Sequence, residues 1–325
     1  MIPEGYNDFF RPGRKTLPGF LFGSGAGPGR SGSGHSTHRG WTMAGRTQDN
    51  ILLFLKGGAI GVANIIPGVS GGTMAVVLGL YDRLIEAIAC FFDSPKKRKE
   101  YLLFLIVIGA GAAAAILMLA NLLDYLLKNH YQATIYAFLG LIIGGIPAIW
   151  KSHGDMKPGA ARVLFFILGM LVVILPSLFG EGAKEAAAGA EVVFPTGGAG
   201  YSTLLLAAFL AGGAMIVPGI SGSFILVLLG QYAVIIAAIK AMAVPVLGVV
   251  AIGAGVGVLV FSKIIKVCLS KAPATTYYFI LGLLAASIWE IYPGIPGTPG
   301  VLVSSLVTLI LGAAVSFWMS RVSPA

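Results

Sequence analysis

Long apolar segments separated by short polar loops dominate the chain from residue 50 onward. Six of them approach or exceed the roughly 20 residues that cross a bilayer, and they lie at 101–127, 131–150, 162–180, 245–268, 275–291 and 300–320. Two other regions, 51–92 and 201–240, each contain shorter apolar arms joined at a Pro-Gly break. The pattern predicts an all-α polytopic membrane protein with six crossings and two re-entrant helical hairpins.

The two interrupted regions share one sequence. Residues 61–81, GVANIIPGVSGGTMAVVLGLY, align without a gap with residues 212–232, GGAMIVPGISGSFILVLLGQY, and more than half of the positions are identical. Proline and glycine interrupt a helix, and the serine that follows is a good N-cap. We therefore expect each arm to end at the Pro-Gly pair and a new helix to begin after Ser70 or Ser221.

The similarity continues beyond the hairpins, since IGAG occurs at 108–111 and at 252–255. Each repeat is thus one hairpin followed by three crossings. Because three crossings change sides and a hairpin does not, the second repeat enters from the opposite face, which predicts two inverted-topology repeats. The predicted organisation is a disordered cytoplasmic tail at 1–49, membrane repeat 1 at 50–180, an extracytoplasmic linker at 181–200 and membrane repeat 2 at 201–321.

Composition and charge agree with this topology. The chain is 57% hydrophobic and 11% charged, unlike a soluble domain, and its formal net charge is +9. The basic residues concentrate in the tail and in short loops such as 96–99, without interleaved aromatic residues. Membrane orientation with both termini in the cytoplasm explains them, and nucleic-acid binding does not. Two full crossings per broken pair would give the same orientation, so that alternative stays open.

Metal and cofactor chemistry is not indicated. The two cysteines, Cys90 and Cys268, belong to no CxxC motif, and the four histidines lie in the tail or in loops. The sequence therefore predicts no cofactor, no metal site and no disulfide framework.

The two breaks are the predicted binding site. We call residues 67–73 the first tip and residues 218–223 the second tip. Glycines let an anion approach backbone amides at a helix start, with hydroxyls beside them, and inverted repeats bring such breaks together near the midplane. The candidate substrate-binding residues are Asn64, Pro67, Gly68, Ser70, Gly71, Gly72, Thr73, Pro218, Gly219, Ser221, Gly222 and Ser223, with the basic residues Lys56 and Arg83. The alternative is that small residues only allow close helix packing.

Acidic residues near the apolar segments are candidates for ion coupling. They are Asp82 and Glu86 in the first hairpin and Glu290 near the end of a crossing. Intramembrane charge is costly and marks function by default, although an interfacial anchor near a helix end is the alternative. The second hairpin has Ala233 and Ala237 at the positions equivalent to Asp82 and Glu86, so the first hairpin is the charged one.

The paired motifs PGVSGGT and PGISGS, each followed by LGxY, resemble the polyprenyl-phosphate transporter family over residues 50–320. The resemblance implies a multi-pass inner-membrane protein, a flippase that returns undecaprenyl phosphate between leaflets for recycling of the lipid carrier in cell-envelope synthesis. It also implies a lipid ligand with a phosphate head and a long apolar tail. The driving force is left open, and so is the oligomeric state, including a homo-oligomer.

A second family offers an enzymatic alternative. Polyprenyl-pyrophosphate phosphatases have a similar PGxSRSG motif, in which an arginine serves the pyrophosphate. Gly71 and Gly222 stand where that arginine would be, and the arm before Pro67 has no carboxylate. A transferring phosphoryl group needs a strong cationic clamp, so we favour a transporter over an enzyme. A secondary transporter of a small soluble anion is the third alternative.

Overall fold

Twelve helices make up the described part of the chain, which comprises residues 43–65, 69–151, 155–189 and 194–322 of a computed structural model. Within these residues all regular structure is helical, which confirms the predicted all-α class. The helices are α1 Met43–Ile65, α2 Gly71–Val77, α3 Tyr81–Ala89, α4 Arg98–Asn129, α5 Tyr131–Lys151, α6 Ala160–Gly189, α7 Gly197–Ile216, α8 Gly222–Leu228, α9 Tyr232–Lys240, α10 Val244–Lys271, α11 Pro273–Ile291 and α12 Pro299–Arg321.

Seven of these helices are long and apolar enough to cross a membrane: α4, α5, α6, α7, α10, α11 and α12. The protein is therefore a multi-pass membrane protein, as predicted. Helix α7 was expected to be a short arm of a re-entrant hairpin, yet its 20 residues are the length of a crossing. The sequence pattern missed its first turn because Gly197–Gly200 carries no large apolar side chain and gives no periodic signal.

Two predicted boundaries also differ. Helix α1 begins at Met43, so the last residues assigned to the disordered tail are helical, and the rest of that tail lies outside the described residues. Helix α6 continues to Gly189, into the predicted linker. Good helix formers extend both helices: Ala44 and Arg46 at the first boundary, and the alanines of 186–188 at the second.

Helix pairing follows the sequence repeat. Helix α1 packs along α4 as α7 packs along α10, and α5 packs along α12 as α11 packs along α6. The backbones approach closely at equivalent glycines: a Cβ added to Gly61 would lie 2.4 Å from the carbonyl oxygen of Ala112, and one added to Gly212 would lie 2.3 Å from that of Ala254. The two halves therefore share one packing scheme, in which each half contributes two helices to the other.

The predicted breaks are confirmed. Helix α1 is described as far as Ile65, Val69 and Ser70 are not helical, and α2 starts after Ser70; α7 stops before the second tip, and α8 starts after Ser221. Each hairpin also contains a second bend that was not predicted. Gly79 (φ 69°) separates α2 from α3, and Gly230 (φ 67°) separates α8 from α9, whose axes differ by 110°. The glycine of the repeated LGxY motif supplies this left-handed conformation.

Candidate functional site

The two tips meet in the structure. The amide of Gly219 in the second tip donates to Ser70 Oγ at 3.0 Å and lies 2.8 Å from Thr73 Oγ1, both in the first tip. The Tyr81 hydroxyl donates to the carbonyl oxygen of Ile216 at 3.1 Å. The prediction that the breaks come together is confirmed, and hydrogen bonds between residues about 140 positions apart join the two halves there.

The first tip is closed. Ser70 caps α2 by accepting from the amide of Thr73 at 3.1 Å, as its sequence position predicts. Its hydroxyl lies 2.9 Å from that of Thr73, and both side chains are buried. The amide of Gly71 donates to Asn64 Oδ1 at 3.2 Å. The hydroxyls of Ser70 and Thr73 and the amide of Gly71, which were predicted to bind an anion, therefore already have partners within the protein.

The second tip is open. Ser221 forms no side-chain cap on α8, and its hydroxyl lies 2.8 Å from that of Ser223. These serines face a cavity of about 320 Å³. Residues of α6, the second tip, α8, α9 and α11 line it: Val172, Val173, Pro176, Ser177, Gly219, Ile220, Ser221, Ser223, Phe224, Val227, Tyr232 and Glu290.

Glu290 brings a carboxyl group to this cavity. Ser177 Oγ lies 3.0 Å from Glu290 Oε1 and also 3.0 Å from the carbonyl oxygen of Val173, one turn earlier in α6. The packing of α6 on α11 creates this contact between residues 113 positions apart. Of the three predicted ion-coupling residues, Glu290 lines the cavity.

The other two acidic candidates lie elsewhere. Asp82 accepts a hydrogen bond from the Tyr277 hydroxyl at 2.6 Å. Glu86 accepts one from the Tyr101 hydroxyl at 2.8 Å and lies 3.8 Å from the amino group of Lys97. Both carboxylates thus hold α3 to neighbouring helices and are not among the residues that line the cavity.

The two basic candidates are also placed away from the cavity. Lys56 is completely buried, and its amino group donates to the carbonyl oxygen of Leu78 at 2.9 Å, at the C-terminal end of α2. Arg83 lies 3.7 Å from Glu100 and 4.6 Å from the centre of the Phe104 ring. In this conformation these side chains stabilise the first hairpin and do not face the cavity.

The remaining candidates have structural contacts. Pro218 is fully buried, a Cβ on Gly72 would lie 3.2 Å from the carbonyl oxygen of Ile216, and Pro67 and Gly68 lie outside the described residues. A Cβ added to Gly71 would lie 2.7 Å from Asn64 Nδ2, and one added to Gly222 would lie 2.6 Å from Met215 Cγ. These glycines therefore let each hairpin fold against its own first arm. A larger side chain at either position would collide with that arm, whether or not a ligand is bound.

Sequence reasoning missed the wall of the cavity. Ser177, Val173 and Pro176 belong to a crossing without a repeated motif, and Phe224 occupies a position where the two repeats differ. Tyr232 could have been found, because it is identical to Tyr81 in the aligned repeat. The Pro-Ser pair inside α6 was the weaker signal, since a proline within a spanning helix marks an irregular turn.

The chemistry of the cavity suits an anionic group beside apolar surface. Ser221 and Ser223 offer hydroxyls, and amides in the first turn of α8 have no acceptor within the helix. Helices α2 and α8 have seven residues each, so their dipoles are short and local donors matter more than the macrodipole. No group of three or more His, Cys, Asp or Glu side chains able to hold a metal occurs in the described part of the chain.

Comparison with known proteins identifies the relatives. A family model described as undecaprenyl phosphate translocase-like matches residues 60–299. A polyprenyl-phosphate transporter of Vibrio cholerae is 33% identical over 77% of this chain and 80% of its own length. A polyprenyl-phosphate transporter of Staphylococcus aureus is 34% identical over 83% of this chain and 95% of its own length. No solved structure matches the chain. The paired tips, the repeated helix pairing and these matches agree: the chain belongs to the undecaprenyl phosphate translocase-like family.

Proposed function

We propose that the protein is a flippase for a polyprenyl phosphate such as undecaprenyl phosphate, with the phosphate bound at the second tip. The observation that carries the proposal is a cavity in which Ser221 and Ser223 stand opposite the apolar wall of α6. The names of the two relatives, both polyprenyl-phosphate transporters, support the same substrate class. The role in recycling the lipid carrier of cell-envelope synthesis is part of this proposal.

The size of the cavity supports a lipid with a small polar head. A volume of about 320 Å³ is at the lower end of ligand pockets, which run from roughly 300 to 1,000 Å³. It accommodates a phosphate and the first part of a chain, and a long prenyl tail must extend outside it. Val172 and Leu175, 38% and 48% exposed on α6, offer an apolar surface that continues from the cavity. The tail would lie there, in contact with membrane lipid.

The arrangement of the tips supports alternating access. Equivalent helix pairings in the two halves fit inverted repeats, and such repeats expose one site to each side in turn. The lining residues of α6 lie in the second half of the predicted crossing 162–180, and Glu290 lies in the last turn of α11. The predicted topology puts both of these helix ends on the extracytoplasmic side. We infer that this state receives the phosphate from the outer leaflet. Cysteines introduced into the 181–200 linker should then react with an impermeant reagent from outside, whereas cysteines in the 93–100 loop should not.

We propose transport without hydrolysis. Gly222 stands where the related phosphatase motif has an arginine, so the second tip lacks that motif's cation for a transferring phosphoryl group. Purified protein should therefore release no phosphate from polyprenyl pyrophosphate. Release that Ser221→Ala abolishes would establish the enzymatic alternative.

Glu290 is our candidate for the ion-coupling residue, and we infer that the coupled ion is a proton. An ionised carboxylate disfavours a second anion nearby, and Ser177 has a hydrogen-bond partner in either state. When Glu290 is ionised, Ser177 donates to it; when Glu290 is protonated, it donates to Ser177, whose hydroxyl turns to the carbonyl of Val173. The phosphate and the proton would enter the cavity together.

The pH dependence of binding tests this role. Wild-type affinity for farnesyl phosphate should weaken as pH rises, and Glu290→Gln should remove most of that dependence. The phosphate's own ionisation is common to both proteins and cancels in the comparison. Asp124→Asn, which alters an exposed pair with Lys128 on α4, is the matched control. Lys184 belongs to α6, but its side chain is outside the described ones. Lys184→Gln tests whether this lysine, in place of a bound proton, neutralises Glu290.

Leaflet-resolved uptake in proteoliposomes tests the main proposal. Labelled polyprenyl phosphate should equilibrate between leaflets with the wild-type protein. The double variant Ser221→Ala/Ser223→Ala should slow this by about two to four decades, because each lost hydrogen bond to a charged group costs about 1.5–3 kcal/mol. Ser304→Ala, which removes an exposed serine of α12, should have no effect. Inhibition by millimolar inorganic phosphate, with transport of that ion, would favour the small-anion alternative.

A further inference from the structure

The hydroxyls of the first tip face the second tip. Ser70 is 6% exposed and Thr73 is completely buried, and the amide of Gly219 lies within 3.0 Å of both hydroxyl oxygens. A phosphate could use these hydroxyls only after the contact between the tips had broken. In this state the two hydroxyl oxygens accept a hydrogen bond from a backbone amide of the other half.

The two repeats differ at this point. Ser70 aligns with Ser221, but Thr73 aligns with Phe224. A phenylalanine has no hydroxyl, so the second tip has no equivalent of the paired hydroxyls of Ser70 and Thr73. Ser221 instead contacts Ser223 and faces the cavity. Among the described residues, the hydrogen bonds between the tips run from the amide of Gly219 to the hydroxyls of the first tip.

The position of Gly219 explains how this contact affects the hydroxyls that face the cavity. Gly219 has a φ of 81° and lies two residues before Ser221. Fixing its amide fixes the turn that decides where the next hydroxyls point. A site held in its binding geometry loses less conformational entropy when the ligand arrives, so its affinity is higher.

We propose that Ser70 and Thr73 are positioning residues, which hold the amide of Gly219 and so keep Ser221 and Ser223 directed into the open cavity. This inference rests on the proposed function and deepens it. A state in which the second tip leaves the first requires this contact to break, so its strength sets how much of the protein keeps Ser221 and Ser223 directed into the cavity.

Thr73→Val tests the proposal because it removes the hydroxyl and keeps the shape, while Thr73→Ser keeps a hydroxyl. Thr276→Val is the matched control, since Thr276 bonds only within its own helix turn. Two quantities are measured in detergent: the affinity for farnesyl phosphate, and the ligand-free reaction rate of a Ser223→Cys variant with a water-soluble maleimide. The labelling protein also carries Cys268→Ala, because Cys268 is exposed whereas Cys90 is buried.

We expect Thr73→Val to weaken binding and slow labelling, each by about threefold to tenfold, which corresponds to one hydrogen bond. Thr73→Ser should stay within about twofold of the wild type in both, and Thr276→Val should match it. The thermal midpoint of each variant separates these effects from loss of the fold.

Several results would overturn the proposal. If Thr73→Val weakens binding but leaves ligand-free labelling unchanged, Thr73 contacts the phosphate directly. If neither quantity changes, the hydroxyl positions nothing. If the wild type does not bind farnesyl phosphate, the proposed function fails, while the labelling rates still decide whether the first tip holds the second.

Discussion

The two hairpins have one sequence pattern and two environments. In α2 every residue from Gly72 to Val77 is buried, whereas in α8 Gly222 alone is fully buried. The first hairpin carries polar side chains that reach its backbone or the other tip, and the second has apolar residues in the same register: Lys56, Asn64 and Thr73 against Ala207, Met215 and Phe224. The duplicated motif thus sets a shape, and a few polar substitutions make one copy a fixed platform and leave the other free to line a cavity.

The largest expected effect is on the close helix pairing that the two halves share. Gly61→Val and Gly212→Val each place a side chain against a backbone carbonyl of the paired helix, less than 2.5 Å from where the first carbon would sit. Each variant should lower the free energy of unfolding by about 3 kcal/mol or more, and the two losses should be similar. Thermal unfolding in detergent measures this. Markedly unequal losses would show that the helix pairing is not equivalent in the two halves.

The second prediction compares two glycines of the second hairpin. Gly219 and Gly230 both have positive φ, but a Cβ on Gly219 would lie 2.7 Å from Ser287 Oγ, and one on Gly230 would meet nothing within 4 Å. Gly230→Ala should cost only backbone strain, about 1 kcal/mol, and Gly219→Ala about 3 kcal/mol. The thermal midpoints of the two variants give the comparison, and equal midpoints would contradict the packing at the second tip.

The third prediction tests a buried contact that holds the first hairpin in place. Lys56→Met keeps the volume of the side chain but leaves the carbonyl of Leu78 without its buried donor, which should cost about 1–3 kcal/mol. Lys240→Met alters an exposed lysine in the last turn of α9 and should change stability by less than about 0.5 kcal/mol. Urea or thermal unfolding of both variants measures the difference. A stable Lys56→Met protein would mean that this contact does not hold the first hairpin.

The smallest effect is expected for Arg83→Ala. The sequence suggests that Arg83 attracts the phosphate head, but the structure pairs it with Glu100 and the Phe104 ring at a partly exposed position. We expect a loss of stability below about 1 kcal/mol and unchanged affinity for farnesyl phosphate. Affinity reduced tenfold or more would return Arg83 to the binding site and weaken the contrast between the hairpins.

The sequence predicted the helical class, the two breaks and their meeting, because proline, glycine and an N-cap serine act on the backbone within a few residues. It did not predict the second bends at Gly79 and Gly230, although the repeated LGxY contained them, since glycine alone does not distinguish a bend from close packing. Ser177 and Glu290 were not paired in advance either. Their contact exists only because α6 packs on α11.

By itself, the sequence determined where helices stop and restart, since that depends on local backbone chemistry repeated in two places. Only the tertiary structure decided that the first tip is closed and the second open. That outcome depends on which hydroxyls the amide of Gly219 reaches, and on the replacement of Thr73 by Phe224 in the aligned repeat. Residues distant in sequence make these contacts, and their effect appears only when the two halves are packed together.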